Sequence, residues 1–269
     1  MDIADFNALH MPALERNEVR HNLLLGLMTQ PSPDPADEMR RWTLGGAGAC
    51  AIQTNVNRSI ILGELSERQC HALAGQVCGS AFAGALGTEN TAHWFVARAI
   101  QLGLSFGDAE PQMIHELREP PVSPGALGKA RRATTDDLGL VLEWMAAFHA
   151  EAVPDDPPAT KEEVARKINE RVVLFWETAG EPVSMAALAR VTRNAAAIGP
   201  VYTPPELRAR GYAGSVTAAL ADHIFASGKT TACLYTNLRN PHSNRCYAKI
   251  GFRQVSPSWH YHRIDQQSC

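Results

Sequence analysis

Between residues 198 and 252 the chain turns from strand to helix twice, and those two turns restrict its fold more than any other part of the sequence. A short apolar run, 198–202, ends at Pro204-Pro205, which cannot continue a sheet ladder and which hold the preceding residue extended. Arg208-Ala209-Arg210-Gly211-Tyr212-Ala213-Gly214 then leads to Val216, Ala219, Leu220 and Ile224, apolar residues at helical spacing closed by Ser227-Gly228. A glycine-containing turn between a strand and a helix N-terminus is therefore expected. The first N–H groups of a helix lack acceptors within it and the helix dipole adds positive potential there, so such a turn suits an anion. Small residues at Gly211 and Ala213 leave those N–H groups open, and Arg208 and Arg210 offer charge-assisted donors for phosphate oxygens.

The second turn follows a predicted strand at 231–235. It reads Asn237-Leu238-Arg239-Asn240-Pro241, with Asn240 suited to the N-cap and Pro241 to the first helical position of a short helix ending at Gly251. At about 100° per residue, Asn240, Asn244 and Tyr247 share one face and Cys246 and Ile250 another. The two segments together resemble the GNAT superfamily of N-acetyltransferases. Its acetyl-CoA loop reads Arg/Gln-x-x-Gly-x-Gly/Ala, and its next helix carries Asn and Tyr ahead of a Gly-Phe; Arg208-x-x-Gly211-x-Ala213 and Asn244-x-x-Tyr247-x-x-x-Gly251-Phe252 fit both patterns.

The resemblance covers about 131–264 and implies a mixed α/β acyl-CoA N-acyltransferase fold there. Acetyl-CoA is then the expected co-substrate, held by Val201, Tyr202, Thr203, Arg208, Arg210, Gly211, Tyr212, Ala213, Gly214, Ser215, Asn237, Asn240, Asn244 and Tyr247. Tyr247 is the expected acid for the departing thiolate, because a phenol of pKa about 10 can donate to a thiolate of pKa about 8.5. A backbone N–H near Val201 or Tyr202 is the expected oxyanion donor. The strand before the loop, Ala196-Ala197-Ile198-Gly199-Pro200, lacks the Glu of many relatives, and Glu177, His149 and the Asp155-Asp156 loop are the candidate bases.

The first 120 residues carry a lesser version of the same order. A helical stretch at about 6–30, broken at Pro12 and stopped by Pro31, Pro33 and Pro35, precedes predicted strands at 47–53 and 59–62. Ser66-Glu67-Arg68-Gln69 is a capping-box pattern opening a helix, another helix runs over 88–104, and 112–117 reads as a strand. No phosphate loop, metal-ligand spacing or nucleophile elbow is recognisable there; the resemblance, taken to two-domain members of the superfamily, implies a degenerate GNAT-like α/β unit at 1–120. Glu119-Pro120-Pro121-Val122-Ser123-Pro124-Gly125 then places a linker at 121–130, with the acetyltransferase domain at 131–269.

In that second domain Thr134 to Asp137 cap one helix and Thr160-x-x-Glu163 another; strands follow at 172–176, 183–190 and 196–202, with final strands near 253–255 and 259–263. A net charge of −3 over 269 residues gives no reason to expect nucleic acid. Six cysteines without a CxxC pair read as reduced thiols in a cytoplasmic protein, no segment suits a bilayer, and no metal is expected. The reading is an acetyl-CoA-dependent N-acetyltransferase acting on a primary amine, with a catalytically silent acyl-CoA-binding sensor as the alternative. Dinucleotide binding is disfavoured, since the loop is not G-x-G-x-x-G.

Overall fold

Period-two alternation along the strands decides which helices cover which face of the second half of the chain. The structure, a computed structural model, describes residues 2–29, 39–154 and 158–264. In chain order the elements are α1 (Ile3–Leu14), α2 (Asn22–Thr29), β1 (Arg40–Thr43), β2 (Cys50–Gln53), β3 (Ile60–Leu62), α3 (Glu67–Val77), β4 (Gly84–Gly87), α4 (Glu89–Gln101), β5 (Ser105–Phe106) and β6 (Glu110–Leu117). They continue with β7 (Lys129–Arg132), α5 (Leu138–Ala152), α6 (Lys161–Asn169), β8 (Val173–Thr178), β9 (Glu181–Val191), β10 (Ala195–Tyr202), α7 (Tyr212–Ala226), β11 (Thr231–Asn237), α8 (Pro241–Ile250) and β12 (Arg253–Ile264). Two compact units result: residues 1–114 with 237–239 and 255–269, and residues 115–236 with 240–254.

In the second unit β7, β8, β9 and β10 pair antiparallel in that order, and β10 pairs parallel with β11. Leu174, Ala186, Ala196 and Ile198 face Val216, Leu220 and Ile224 of α7, whereas Val173, Phe175, Met185 and Ala187 face Val141, Trp144 and Val164 of α5 and α6. Each fully buried Val, Leu or Ile contributes about 1.5–3 kcal/mol, so the α7 stripe alone anchors the helix firmly. Thr134/Asp137 and Thr160/Glu163 form the capping boxes expected of them.

In the first unit β1, β2 and β3 form an antiparallel meander, β3 and β4 are parallel, and β4 pairs antiparallel with β12, which also holds β5. Its core joins Ile60, Leu62 and Ala85 of the sheet to Leu73 of α3 and Phe95 of α4. The predicted sequence order of this half is present, and the structure adds β1, β4 and β5. β4 reads Gly-Ala-Leu-Gly, which lacks the long apolar run of a buried strand; a Cβ on Gly84 would lie 2.1 Å from the Tyr261 carbonyl oxygen, so glycine is what allows β12 to approach.

Two expectations about proline are corrected. Pro12 lies inside α1 without breaking it, because it falls near the helix end and the Phe6, His10 and Leu14 stripe stays buried on one side. The final strands are one strand, β12, which continues through Pro257; its ladder with β4 runs from Trp259 to His262, beyond the proline. The expected stop at Pro31, Pro33 and Pro35 and the Asp155-Asp156 loop lie outside the described residues. No described helix is long and apolar enough to cross a membrane.

Candidate active site

The parallel ladder of β10 and β11 runs from Ala195/Thr231 to Ile198/Leu234, after which β10 pairs with β9 through Val201 and Tyr202. A register irregularity separates Ile198 from Val201, at the Gly199-Pro200 pair. The chain then passes Pro204, buried, and the 3-10 turn Pro205–Leu207 to reach α7. Ala209 (φ 63°) and Gly211 (φ 83°) are both left-handed, flanking Arg210 in the kind of turn that aims successive N–H groups to one side. Gly211 is the N-cap of α7 and supplies no side-chain cap; its positive φ, more than lack of space, is what requires glycine, since a Cβ there would meet only Ala126 at 3.5 Å. No acidic residue sits in the first turn of α7, and the hydroxyl of Ser215, buried in that turn, has no hydrogen-bond partner.

Gly214 is glycine for a different reason. A Cβ there would lie 2.8 Å from Pro124 and 3.2 Å from the Cys246 sulfur, so the proline-rich segment and α8 both close on this turn of α7. That contact sets α8 beside the loop. Asn240 caps α8 as expected, its Oδ1 accepting from the N–H groups of His242 and Ser243 at 3.1 and 3.2 Å. One turn on, Asn244 Oδ1 accepts from the Thr236 hydroxyl at 2.6 Å, and Thr236 Oγ1 is 3.0 Å from Nε2 of His115. Because the Thr236 proton goes to Asn244, its oxygen accepts from His115, whose Nδ1 is buried without a partner. Burial lowers the His115 pKa and keeps the ring neutral. Tyr247 follows on the same face of α8, half-buried and edge-on to Phe252 at 6.0 Å; burial raises its pKa and keeps the phenol protonated.

Comparison with known proteins bears on this arrangement. The model of the FR47-like protein family matches residues 178–264, about a third of the chain. No curated protein matches by sequence. Among solved structures, an acetyltransferase of the GNAT family from Colwellia psychrerythraea matches with a TM-score of 0.57 at 11% identity, covering 93% of this chain and 96% of its own. A GCN5-related N-acetyltransferase from Kribbella flavida matches at 0.58 and 14%, covering 92% and 94%, and a Drosophila protein at 0.68 and 12%, covering 98% and 97%. The chain has the GNAT fold. At these identities the likeness speaks for the fold alone, and it spans both units.

Within this GNAT fold the sequence-expected residues separate into groups. Tyr212, Ala213, Gly214 and Ser215 form the first turn of α7 after Gly211, and Asn240, Asn244 and Tyr247 lie on one face of α8. Tyr202 and Thr203 are buried: the Tyr202 ring packs 6.0 Å from Trp144, and Thr203 Oγ1 is 2.8 Å from Ser184 Oγ, while Val201 is only partly covered. Arg208 does not point freely into the turn. Its guanidinium donates to both carboxylate oxygens of Glu151 at 2.8 Å and to the Thr203 carbonyl at 2.9 Å, over the Tyr202 ring. Arg210 is exposed and donates to the Glu206 carbonyl at 3.2 Å. Asn237 belongs to the first unit, where its side chain donates to Glu110 and accepts from the Arg239 N–H.

Of the candidate bases, Glu177 is committed elsewhere. It is ion-paired to Arg131, which also grips Asp137 through two bonds of 2.7 and 2.9 Å. That contact holds the Asp137 carboxyl down at about 2 and raises the Arg131 guanidinium further. The triad ties β7 to β8 and to the helix start at Thr134. His149 lies near the end of α5 with Nε2 buried and unpartnered. Sequence reasoning passed over His115 and Thr236, since a His and a Thr 121 positions apart give no local signal.

Proposed function

We propose that the chain is an acetyl-CoA-dependent N-acetyltransferase that moves an acetyl group directly to a primary amine. The observation that carries this reading is the open N-terminus of α7, capped by left-handed Gly211, lying directly beside the helix that carries Tyr247. The residues present fit the co-substrate. The turn offers unpaired N–H groups and no acid to a pyrophosphate, and the buried Ser215 hydroxyl adds a donor with no partner of its own. Arg208 acts as a brace, fixing the strand end and the turn through Thr203 and Glu151.

In the reaction the amine nitrogen bonds to the thioester carbonyl carbon, the carbon–sulfur bond breaks, and the departing thiolate takes the Tyr247 proton. Burial keeps that phenol protonated, the form that carries the proton, while making it a weaker acid. The proton lost by the amine passes to solvent or to His149, since Glu177 is held by Arg131. An N–H near Val201 or Tyr202, where β10 has left β11, serves the oxyanion. Asn244, fixed by Thr236 and His115, sets the rotation of α8 and so the aim of Tyr247.

The test is release of free thiol from acetyl-CoA against a panel of amines, with mass spectrometry of the products. Amine-dependent release supports the reading; acetyl-CoA binding with no amine-dependent release across the panel returns the silent sensor instead.

A further inference from the structure

Outside the GNAT site, the first unit gathers two imidazoles and a carboxylate. His260 and His262 alternate along β12 and so share one face of the strand, with ring centroids 3.9 Å apart. Glu110, at the start of β6, brings one carboxylate oxygen to 3.8 Å from His262 Nε2. One ligand atom from each of the three lies within 4.8 Å of the others. Two ligands bound to one ion at about 2.0–2.1 Å stand about 3.4 Å apart at a tetrahedral angle, so small side-chain rotations close the set on a metal.

We infer that Glu110, His260 and His262 form a binding site for a first-row divalent transition metal, of which Zn²⁺ is the natural occupant by ligand type. Two imidazoles with one carboxylate form a set that such ions favour, and one that Mg²⁺ and Ca²⁺, which prefer oxygen, do not. The surroundings support the assignment. Ser59 Oγ is 2.8 Å from His260 Nε2 and holds that ring in place. Asn237 donates to the second Glu110 oxygen at 2.7 Å, leaving the first for the ion. Ligands oriented by hydrogen bonds from a surrounding shell are what metal sites require. His260 is buried at 9% exposure, whereas the His262 and Glu110 side chains keep 27% and 24%, so the ion has an entry side and room for a fourth ligand from solvent.

The ion would clip the end of β12 to the start of β6 within the first unit. Its sequence signal is brief: His-x-His in a strand, completed by a Glu 150 positions upstream.

The experiment uses the full chain stripped with a chelator and then titrated with ZnSO₄ and with CoCl₂ by calorimetry and visible absorption. One equivalent of metal per chain is expected, with a rise in Tm and a tetrahedral or five-coordinate Co²⁺ spectrum. His262→Asn and Glu110→Gln, both close in shape to the native side chains, should weaken binding at least about 100-fold, and Asn237→Ala about 10–100-fold, as outer-shell losses do. His71→Ala, at an exposed His on α3, should bind as the wild type does. Circular dichroism shows whether each variant is folded. No stoichiometric binding by the wild type, or equal binding by folded wild type, His262→Asn and Glu110→Gln, overturns the assignment and leaves a Glu–His ion pair.

Discussion

Each unit contains a strand, a turn, a helix and a parallel strand, and the two turns end in opposite ways. In the second unit β10 leads to α7 through left-handed Ala209 and Gly211, the helix start has no side-chain cap, and its first turn carries no acid. In the first unit β3 leads to α3 through Gly63, and Ser66 and Gln69 close the helix start with a capping box. Gln69 Oε1 accepts from the Ser66 N–H at 2.8 Å while its amide donates to the Leu44 carbonyl, and Glu67 adds negative charge in the first turn. One helix end is therefore left without a side-chain cap, and the other is satisfied by its own residues and repels anions.

The next helices differ at matching positions. Counting from the N-caps, Asn240, Asn244 and Tyr247 of α8 correspond to Thr88, Ala92 and Phe95 of α4. The hydroxyl proposed to protonate the leaving thiolate has become the fully buried Phe95, part of the core with Leu73 and Ile60. At these matching positions the first unit carries Thr88, Ala92 and the core residue Phe95, whereas the second carries the polar side chains of Asn240, Asn244 and Tyr247.

Replacing Gly211 by Leu should have the largest effect on this contrast. A Leu at φ 83° is strained, and its side chain would crowd the turn, so the thermal stabilisation given by acetyl-CoA should disappear. An undiminished shift in a thermal melt would show that the ligand does not use this turn. Next in size, Tyr247→Phe makes α8 resemble α4 at that position. It should lower kcat by roughly 10²–10⁴, with acetyl-CoA affinity nearly unchanged. Full kcat in the Phe variant would remove Tyr247 as the acid, whereas a parallel loss of affinity would make it a positioning residue. The smallest effect belongs to Ser66→Ala, which breaks the capping box of the first unit. It should cost about 1 kcal/mol in a urea titration and leave the acetyl-CoA shift intact; a weakened shift would mean that the first unit takes part in binding.

The order of elements from α5 to α8, the glycine-containing turn before α7, the Asn240 cap and the shared face of Asn244 and Tyr247 were legible in the sequence, because each is marked by residues close together along the chain; that Gly211 is left-handed was not. The capping boxes at Ser66, Thr134 and Thr160 were legible for the same reason. Other features depend on partners far along the chain, and no local pattern encodes them. Arg208 is drawn to Glu151, 57 positions away, and Glu177 to Arg131, 46 positions away, because a charge near a partly buried turn or strand end is stabilised by the nearest opposite charge. Asn244 finds Thr236, which His115 also meets, since a partly buried amide is held by a partner, and β4 takes shape from Gly-Ala-Leu-Gly because β12 approaches where a Cβ would not fit. Local residues therefore determined which segments turn, cap and present their polar faces, while tertiary packing decided which charges are spent on structure, which hydroxyls remain free, and that Glu110 meets His260 and His262 at all.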